Sequence, residues 1–226
     1  MELTVVIVFL VGLGLFVVPG LQRASQKAKR ITCLNHFMQI GSAYRVWEND
    51  HGGRYPTDAP QTNGGWSDLL SRTNVTTCLW MNYVKMSNEL GQNPSILVCP
   101  ADERKPADHF NNIVGNTNLS YFIGVNADDT LPQSLLGGDR NLGPGTTPDV
   151  QYGFSPADGR GNDVIINGPV CWSLKMHSHG NRAGCGNIML GDGSVQQATS
   201  EGLNEDWLKA ARATATSSAG MRFIFP

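Results

Sequence analysis

Met1-Glu2-Leu3-Thr4-Val5-Val6-Ile7-Val8-Phe9-Leu10-Val11-Gly12-Leu13-Gly14-Leu15-Phe16-Val17-Val18-Pro19-Gly20 opens the chain and decides how the rest is read. Leu3 to Val18 carries no charge, is closed by Pro19-Gly20, and runs into a basic stretch from Arg23 to Arg30. A helix needs about 20 apolar residues to cross a bilayer core, with ~17 as the lower limit, so the run reaches across only marginally. It leaves no polar face, which makes a buried core helix the less favoured alternative. Glu2 puts a carboxylate at its edge, where a charge needs a partner and marks a functional position. A cleaved signal peptide fits poorly: no basic residue precedes the run, and Gln22-Arg23-Ala24 is a poor cleavage site. An ordinary signal anchor stays open as an alternative.

Outward from this run, the helical pattern continues. Leu21, Ala24, Ala28, Ile31, Leu34, Met38, Gly41, Tyr44 and Trp47 recur at steps of three and four, which predicts one stripe serving as core for a domain folded back on it. Asp50-His51-Gly52-Gly53 supplies the glycine expected just past a helix end. Pro19, with Gly12, Gly14 and Gly20, softens the first half, since proline removes one backbone bond and each glycine costs ~1 kcal/mol. The expected fold class is α+β and pilin-like. A long N-terminal α-helix, apolar in its first half and amphipathic in its second, packs on a small, loop-rich antiparallel β-sheet domain. The expected organisation is 1–22 as transmembrane or filament-core helix, 23–52 as the amphipathic half, and 53–226 as a β-rich head.

A net charge of -2 and the lack of a basic cluster after Arg30 argue against a nucleic-acid surface. With 26 glycines, 12 prolines and 16% charged residues, the head should be rich in loops and in need of staples. Cys33, Cys78, Cys99, Cys171 and Cys185 form an odd set, so at most two disulfides and one free thiol are expected. Disulfides would place the head outside the cytoplasm. Arg23, Lys27, Lys29 and Arg30 point the other way under the positive-inside rule.

Within the head, Ser95–Pro100, Leu119–Val125, Asp163–Asn167 and Gly186–Gly193 read as strands. The last turns through Asp192-Gly193 into Ser194–Gln197 as a hairpin. Glu201–Ala213 reads as a short amphipathic helix and Arg222–Phe225 as a closing edge strand. Gly137-Gly138-Asp139 and Gly143-Pro144-Gly145 read as turns, without the lysine and spacing of a phosphate loop. Ser194 lacks the strand-to-helix context of a nucleophile elbow. No catalytic constellation emerges, so an enzyme is not expected. Two metal readings stand beside blander ones. Ser155–Asp163 gathers Asp158, Asn162 and Asp163 among glycines, as a calcium loop does, although a solvated Asp-Gly turn reads the same way. Cys171, His177, His179 and Cys185 form a symmetric set that zinc could take, although a Cys171–Cys185 disulfide accounts for the same cysteines.

The segment Glu2 to Ile7, Pro19 seventeen residues after Glu2, and Ala24 to Asn35 resemble the N-terminal methylation segment of type IV pilins and type II secretion pseudopilins. The likeness is greatest to the pseudopilin-like family of planctomycete and verrucomicrobial bacteria. It extends to Cys33, the Cys99-Pro100-Ala101-Asp102 turn, Ser120-Tyr121-Phe122, Gly138–Asn141, His179 through Gly193, and Arg222 to Pro226. The resemblance implies a subunit held in the inner membrane, methylated at its N-terminus, and then assembled with copies of itself into a periplasmic or cell-surface filament. It also implies a pilus or type II secretion assembly machinery as partner. Glu2 would neutralise the N-terminal amine of an adjacent subunit, and Pro19 would kink the helix. The resemblance suggests pairing Cys33 with Cys99. Cys171 with Cys185 is then the second expected disulfide, and Cys78 is left free. The Ala157-Asp158-Gly159 run is also similar to the calcium loop of the major pseudopilins.

Overall fold

A computed structural model describes residues 2–71, 75–177, 184–214 and 221–226; the side chains of residues 2, 3, 5–11, 13–19, 22, 23, 75 and 214 are not described. The chain begins with α1 (Glu2–Asp50), which ends where His51 and Gly53 both donate backbone bonds to Glu48 O. Gly52 and Gly53 then adopt left-handed φ of 72° and 76°, the backbone that glycine accepts without cost. Short 3-10 turns and α2 (Leu79–Lys85) lead into β1 (Tyr121–Gly124), β2 (Leu135–Asp139), β3 (Leu142–Pro144), β4 (Asn162–Ile166) and β5 (Val170–Trp172). The hairpin β6 (Cys185–Leu190) and β7 (Val195–Thr199) follows. A composite helix comes next: α3 (Ser200–Gly202), a π-turn (Leu203–Leu208) and α4 (Lys209–Thr214). The last element is β8 (Met221–Phe225).

Six strands form one antiparallel sheet in the order β4-β8-β1-β2-β6-β7, and β3 pairs β5 in a separate ribbon. Both faces of the large sheet are covered. Tyr121, Ile123, Leu136, Met189 and Ile224 point toward Phe37, Ile40, Tyr44 and Trp47 of α1. Phe122, Leu135, Ile188, Phe223 and Phe225 point to the other side, against Leu203, Leu208 and Ala211 of the composite helix and Trp172 of the ribbon. Strands buried on both faces read as apolar throughout, which explains the continuous Tyr121-Phe122-Ile123 and Ile188-Met189-Leu190 runs.

This architecture corrects the expected fold class. The chain is organised by a six-stranded sheet sandwiched between helices, and not as a pilin-like chain whose apolar long helix carries a small, loop-rich sheet. Among the described residues no helix is long and apolar enough to cross a membrane. The helix stripe is corrected as well. Leu21, Ile31 and Met38 are exposed by 64%, 48% and 48%, whereas Cys33, Phe37, Ile40, Gly41, Tyr44 and Trp47 are buried. Gly41, Tyr44 and Trp47 of the expected stripe do face the sheet, but the docking face begins only at Cys33 and takes in Phe37 and Ile40 in place of Ile31 and Met38.

Four local readings also change, the first being Gly143-Pro144, which pairs in β3 and does not form a turn. Ser95–Pro100 is not a strand: Pro94 starts a 3-10 turn (Pro94–Leu97) whose cap, Asn93, accepts from Ser95 N at 3.2 Å. Arg222–Phe225 is interior, between β4 and β1, and not an edge. Gly137-Gly138 belongs to β2 and not to a turn. A Cβ on Gly137 would lie 2.7 Å from Phe122 O, and one on Gly138 would lie 2.6 Å from the Phe122 ring. The glycines are required by that close approach, which a turn-based reading of glycine misses.

Candidate metal centre

Four side chains from four separate segments meet inside the α1–sheet core. Cys33 comes from the first buried turn of α1. Cys99 opens a tight turn after the 3-10 segment, closed by Asp102 N donating to Cys99 O at 2.9 Å. Asp139 ends β2, directly opposite Tyr121 of β1, and His177 lies beyond β5. The two sulfurs, an Asp139 oxygen and a His177 nitrogen lie within 4.8 Å of one another, and all four residues are buried. Among the described residues this is the one cluster of at least three His, Cys, Asp or Glu placed to hold a metal ion.

The contacts are specific. Cys33 Sγ donates to Asp139 Oδ1 at 3.3 Å, Cys99 Sγ lies 3.4 Å from His177 Nε2, and His177 Nε2 lies 3.4 Å from Asp139 Oδ2. Asn187 of β6 holds Asp139 in place: its backbone N and its Nδ2 both donate to Oδ2, at 2.6 and 3.0 Å. Tyr121 OH lies 3.6 Å from Cys33 Sγ, and Ala101 N donates to Cys99 Sγ at 3.4 Å.

A carboxylate with no exposure needs compensating partners, and His177 is the cationic one. Burial opposes charge on His177, but the charge and hydrogen bond of Asp139 outweigh it and hold the imidazolium up to about 10. Burial pushes the Cys33 thiol well above its usual range, helped by the neighbouring Cys99 and Asp139. Burial also acts to raise Cys99, yet hydrogen bonds from Cys33 and His177 bring it down to about 7. Of the two thiols, Cys99 is therefore the easier to ionise and Cys33 the harder.

The arrangement is not a catalytic triad. In a nucleophile–histidine–carboxylate triad the two ring nitrogens face opposite partners. Here Nε2 alone faces both Cys99 and Asp139, and the sulfurs are shut inside the core.

The structure places the sequence-predicted residues unevenly. Cys33 and Cys99 are brought together, but all five cysteines are free thiols, so neither expected disulfide is present. Cys33 bonds to Asp139 and Cys99 to His177. Cys171 Sγ lies 3.3 Å from Ser200 Oγ, while Cys185 Sγ donates to His177 O at 3.1 Å; the two belong to different sheets. The expected calcium ligands are engaged elsewhere, and calcium is not indicated there. Asp163 accepts three bonds from Arg222, at 2.7 to 3.1 Å. Asp158 is paired with Arg160 at 3.1 Å, and Asn162 Nδ2 donates to Phe154 O at 3.1 Å. Glu2 and Pro19 lie in α1 with side chains outside the described residues, and His179 is outside them entirely. Asp139 and the joining of His177 to Cys33 and Cys99 were missed. Residues 33, 99, 139 and 177 have no motif spacing, and only the sheet register brings them together.

No family model, curated protein or solved structure matches this chain.

Proposed function

We propose that this chain is a non-catalytic structural subunit of an extracytoplasmic helical filament, polymerising through its N-terminal apolar helix. The observation that carries this reading is where α1 leaves its own domain. From Gly20 to Thr32 every described residue is exposed except the half-buried Arg30, and burial starts at Cys33. The sixteen-residue apolar run Leu3–Val18 lies on the same helix, N-terminal to this exposed stretch. A run this apolar is stabilised by lipid or by other helices, since the energetic drive scales with apolar area removed from water. The inner membrane serves before assembly and neighbouring copies of the chain serve afterwards, with a pilus-type or type II secretion machinery moving the subunit between them. The resemblance of residues 2–35 to prepilin-type segments supports the same reading, which does not depend on a pilin-like head.

In that filament Glu2 pairs with an N-terminal amine of the adjacent subunit, because an unpaired carboxylate in an apolar helix bundle is strongly destabilising. The test is Glu2→Gln in the native host. Negative-stain microscopy of sheared surface fractions should lose its filaments while the membrane fraction keeps a folded monomer. Filament yield equal to wild type from Glu2→Gln would remove the pairing role. A wild-type chain recovered solely as a detergent-solubilised monomer would favour a membrane-anchored domain that never polymerises.

A further inference from the structure

We propose that Cys33, Cys99, Asp139 and His177 bind a single zinc-type ion, a structural centre that fastens α1 to the sheet. A tetrahedral ion with bonds of about 2.0–2.3 Å to sulfur, nitrogen and oxygen spaces its ligand atoms roughly 3.3–3.8 Å apart. Two separations in the cluster, Cys33 Sγ to Asp139 Oδ1 at 3.3 Å and Cys99 Sγ to His177 Nε2 at 3.4 Å, fall on those edges, and one ligand atom from each of the four residues lies within 4.8 Å of the others. Little rearrangement is needed beyond drawing the four atoms toward one centre.

The donor set selects the class of metal. Two sulfurs and an imidazole suit soft or borderline ions, whereas calcium and magnesium require a shell of oxygens. Four protein ligands with no open position, enclosed in a core, describe a structural site and not a catalytic one. The surroundings also supply what such sites need from their outer shell. Asn187 fixes Asp139 Oδ2 with two donors, which leaves Oδ1, now occupied by the Cys33 thiol proton, free to turn to the metal.

Loading balances in protons. Both sulfurs bind as thiolates and His177 as the neutral imidazole, so the protons those three groups carry leave as the divalent ion enters. The site keeps two thiolates, one carboxylate and a neutral imidazole ligating through Nε2. Because the ligands come from residues 33, 99, 139 and 177 and are buried, the ion binds as these segments fold together. This assignment is independent of filament formation.

The experiment uses the full chain, solubilised in detergent and purified without chelator. Elemental analysis should find zinc at one ion per chain. Cobalt(II) exchanged into the site should give the intense visible absorption of a tetrahedral centre together with a thiolate-to-cobalt charge-transfer band. Cys99→Ser and His177→Ala should each lose the ion, and Cys78→Ser, which alters a cysteine outside the cluster, should keep it. A wild-type chain that takes up neither zinc nor cobalt overturns the proposal. So does recovery of Cys33 and Cys99 as a disulfide in the folded wild-type chain, detected as two thiols that take up an alkylating agent under denaturing conditions only after reduction. The cobalt spectrum is read on the wild type, so the result stands even where a variant fails to fold.

Discussion

Arg140 holds Asp102 through two parallel bonds, Nε to Oδ2 at 2.7 Å and Nη2 to Oδ1 at 2.8 Å, with side-chain exposures of only 3% and 0%. Ser120 Oγ donates to Oδ2 at 2.6 Å and Tyr152 OH to Oδ1 at 3.1 Å, while the guanidinium lies 3.3 Å over the Tyr152 ring. The pair joins the Cys99 turn to the end of β2, next to Asp139. Removing one partner leaves the other charge buried and alone, a loss of about 3–5 kcal/mol. Arg140→Met and Asp102→Asn should each lower stability by that order in denaturant titrations, and Arg140→Lys should not rescue, because an ammonium cannot make the two-pronged contact.

Acid should act through the same carboxylate. Burial works to raise Asp102, but the bond and charge of Arg140, with Ser120 and Tyr152, hold it below its usual range. A folded pKa below the unfolded one stabilises the fold above the unfolded pKa, and that stability is lost as pH falls through the folded value. Wild type should therefore lose stability below about pH 4, and Asp102→Asn should show a shallower acid slope in melting temperature.

Glu48 gives the opposite sign. Burial, then a hydrogen bond and charge from Asp129, with Asp128 adding to them against Arg45, raise its carboxyl from 4.5 to about 7. Tyr55, on the loop after α1, faces the same group. A raised carboxyl favours the fold below its unfolded pKa, and that contribution disappears as pH climbs through about 7. Glu48→Gln should flatten the fall in melting temperature between these values. An unchanged pH profile in the variant would remove Glu48 as its source.

The seat of α1 on the β6–β7 hairpin depends on two glycines. A Cβ on Gly41 would lie 2.4 Å from Gly193 O, a backbone atom that cannot swing away, and Arg45 Nη1 donates to Asp192 O at 3.2 Å in the same turn. Gly41→Ala should push the helix off the hairpin and cost ~1–3 kcal/mol in chemical unfolding. Gly20→Ala, whose Cβ would meet nothing within 4 Å, should instead gain up to ~1 kcal/mol of helix propensity.

Zinc removal should be readable in the same assay. An ion that binds only the folded chain adds ~2.7 kcal/mol at a hundredfold excess over its dissociation constant, or roughly 5–10 °C for a chain of this size. A zinc-selective chelator should lower the melting temperature by that amount, zinc should restore it, and calcium should not.

Local signals carried the parts of this fold that were legible in the sequence. The Gly52-Gly53 stop, the core of the Leu119–Val125 strand, the Asp192-Gly193 hairpin and the helix near Leu203 and Leu208 each announce themselves within a few residues. What stayed hidden depends on neighbours far along the chain. Gly137 and Gly138 look like a turn until Phe122 is seen against them, and Arg222–Phe225 looks like an edge until β4 pairs with its outer side. The docking face of α1 was placed rightly at Gly41, Tyr44 and Trp47 but wrongly before them, because small and apolar residues fit more than one stripe at helical spacing and only the sheet selects among them. In the metal centre, Cys33 and Cys99 were read as a pair, but the cross-strand register that brings Asp139 and His177 to them has no sequence spacing to betray it.

Cys33 is the first buried residue where α1 meets the head, which gives the cluster a mechanical position. A pull on the apolar end of the helix, directed along its axis, enters the head at that turn before it reaches Phe37, Ile40 or Trp47. Hydrophobic contacts in series along a helix peel one after another under such tension, whereas a cross-link at the entry point spreads the force at once to the Cys99 turn, β2 and the segment after β5. The head would then release its helix abruptly, at one threshold, and the loading state of a single buried ion would set that threshold.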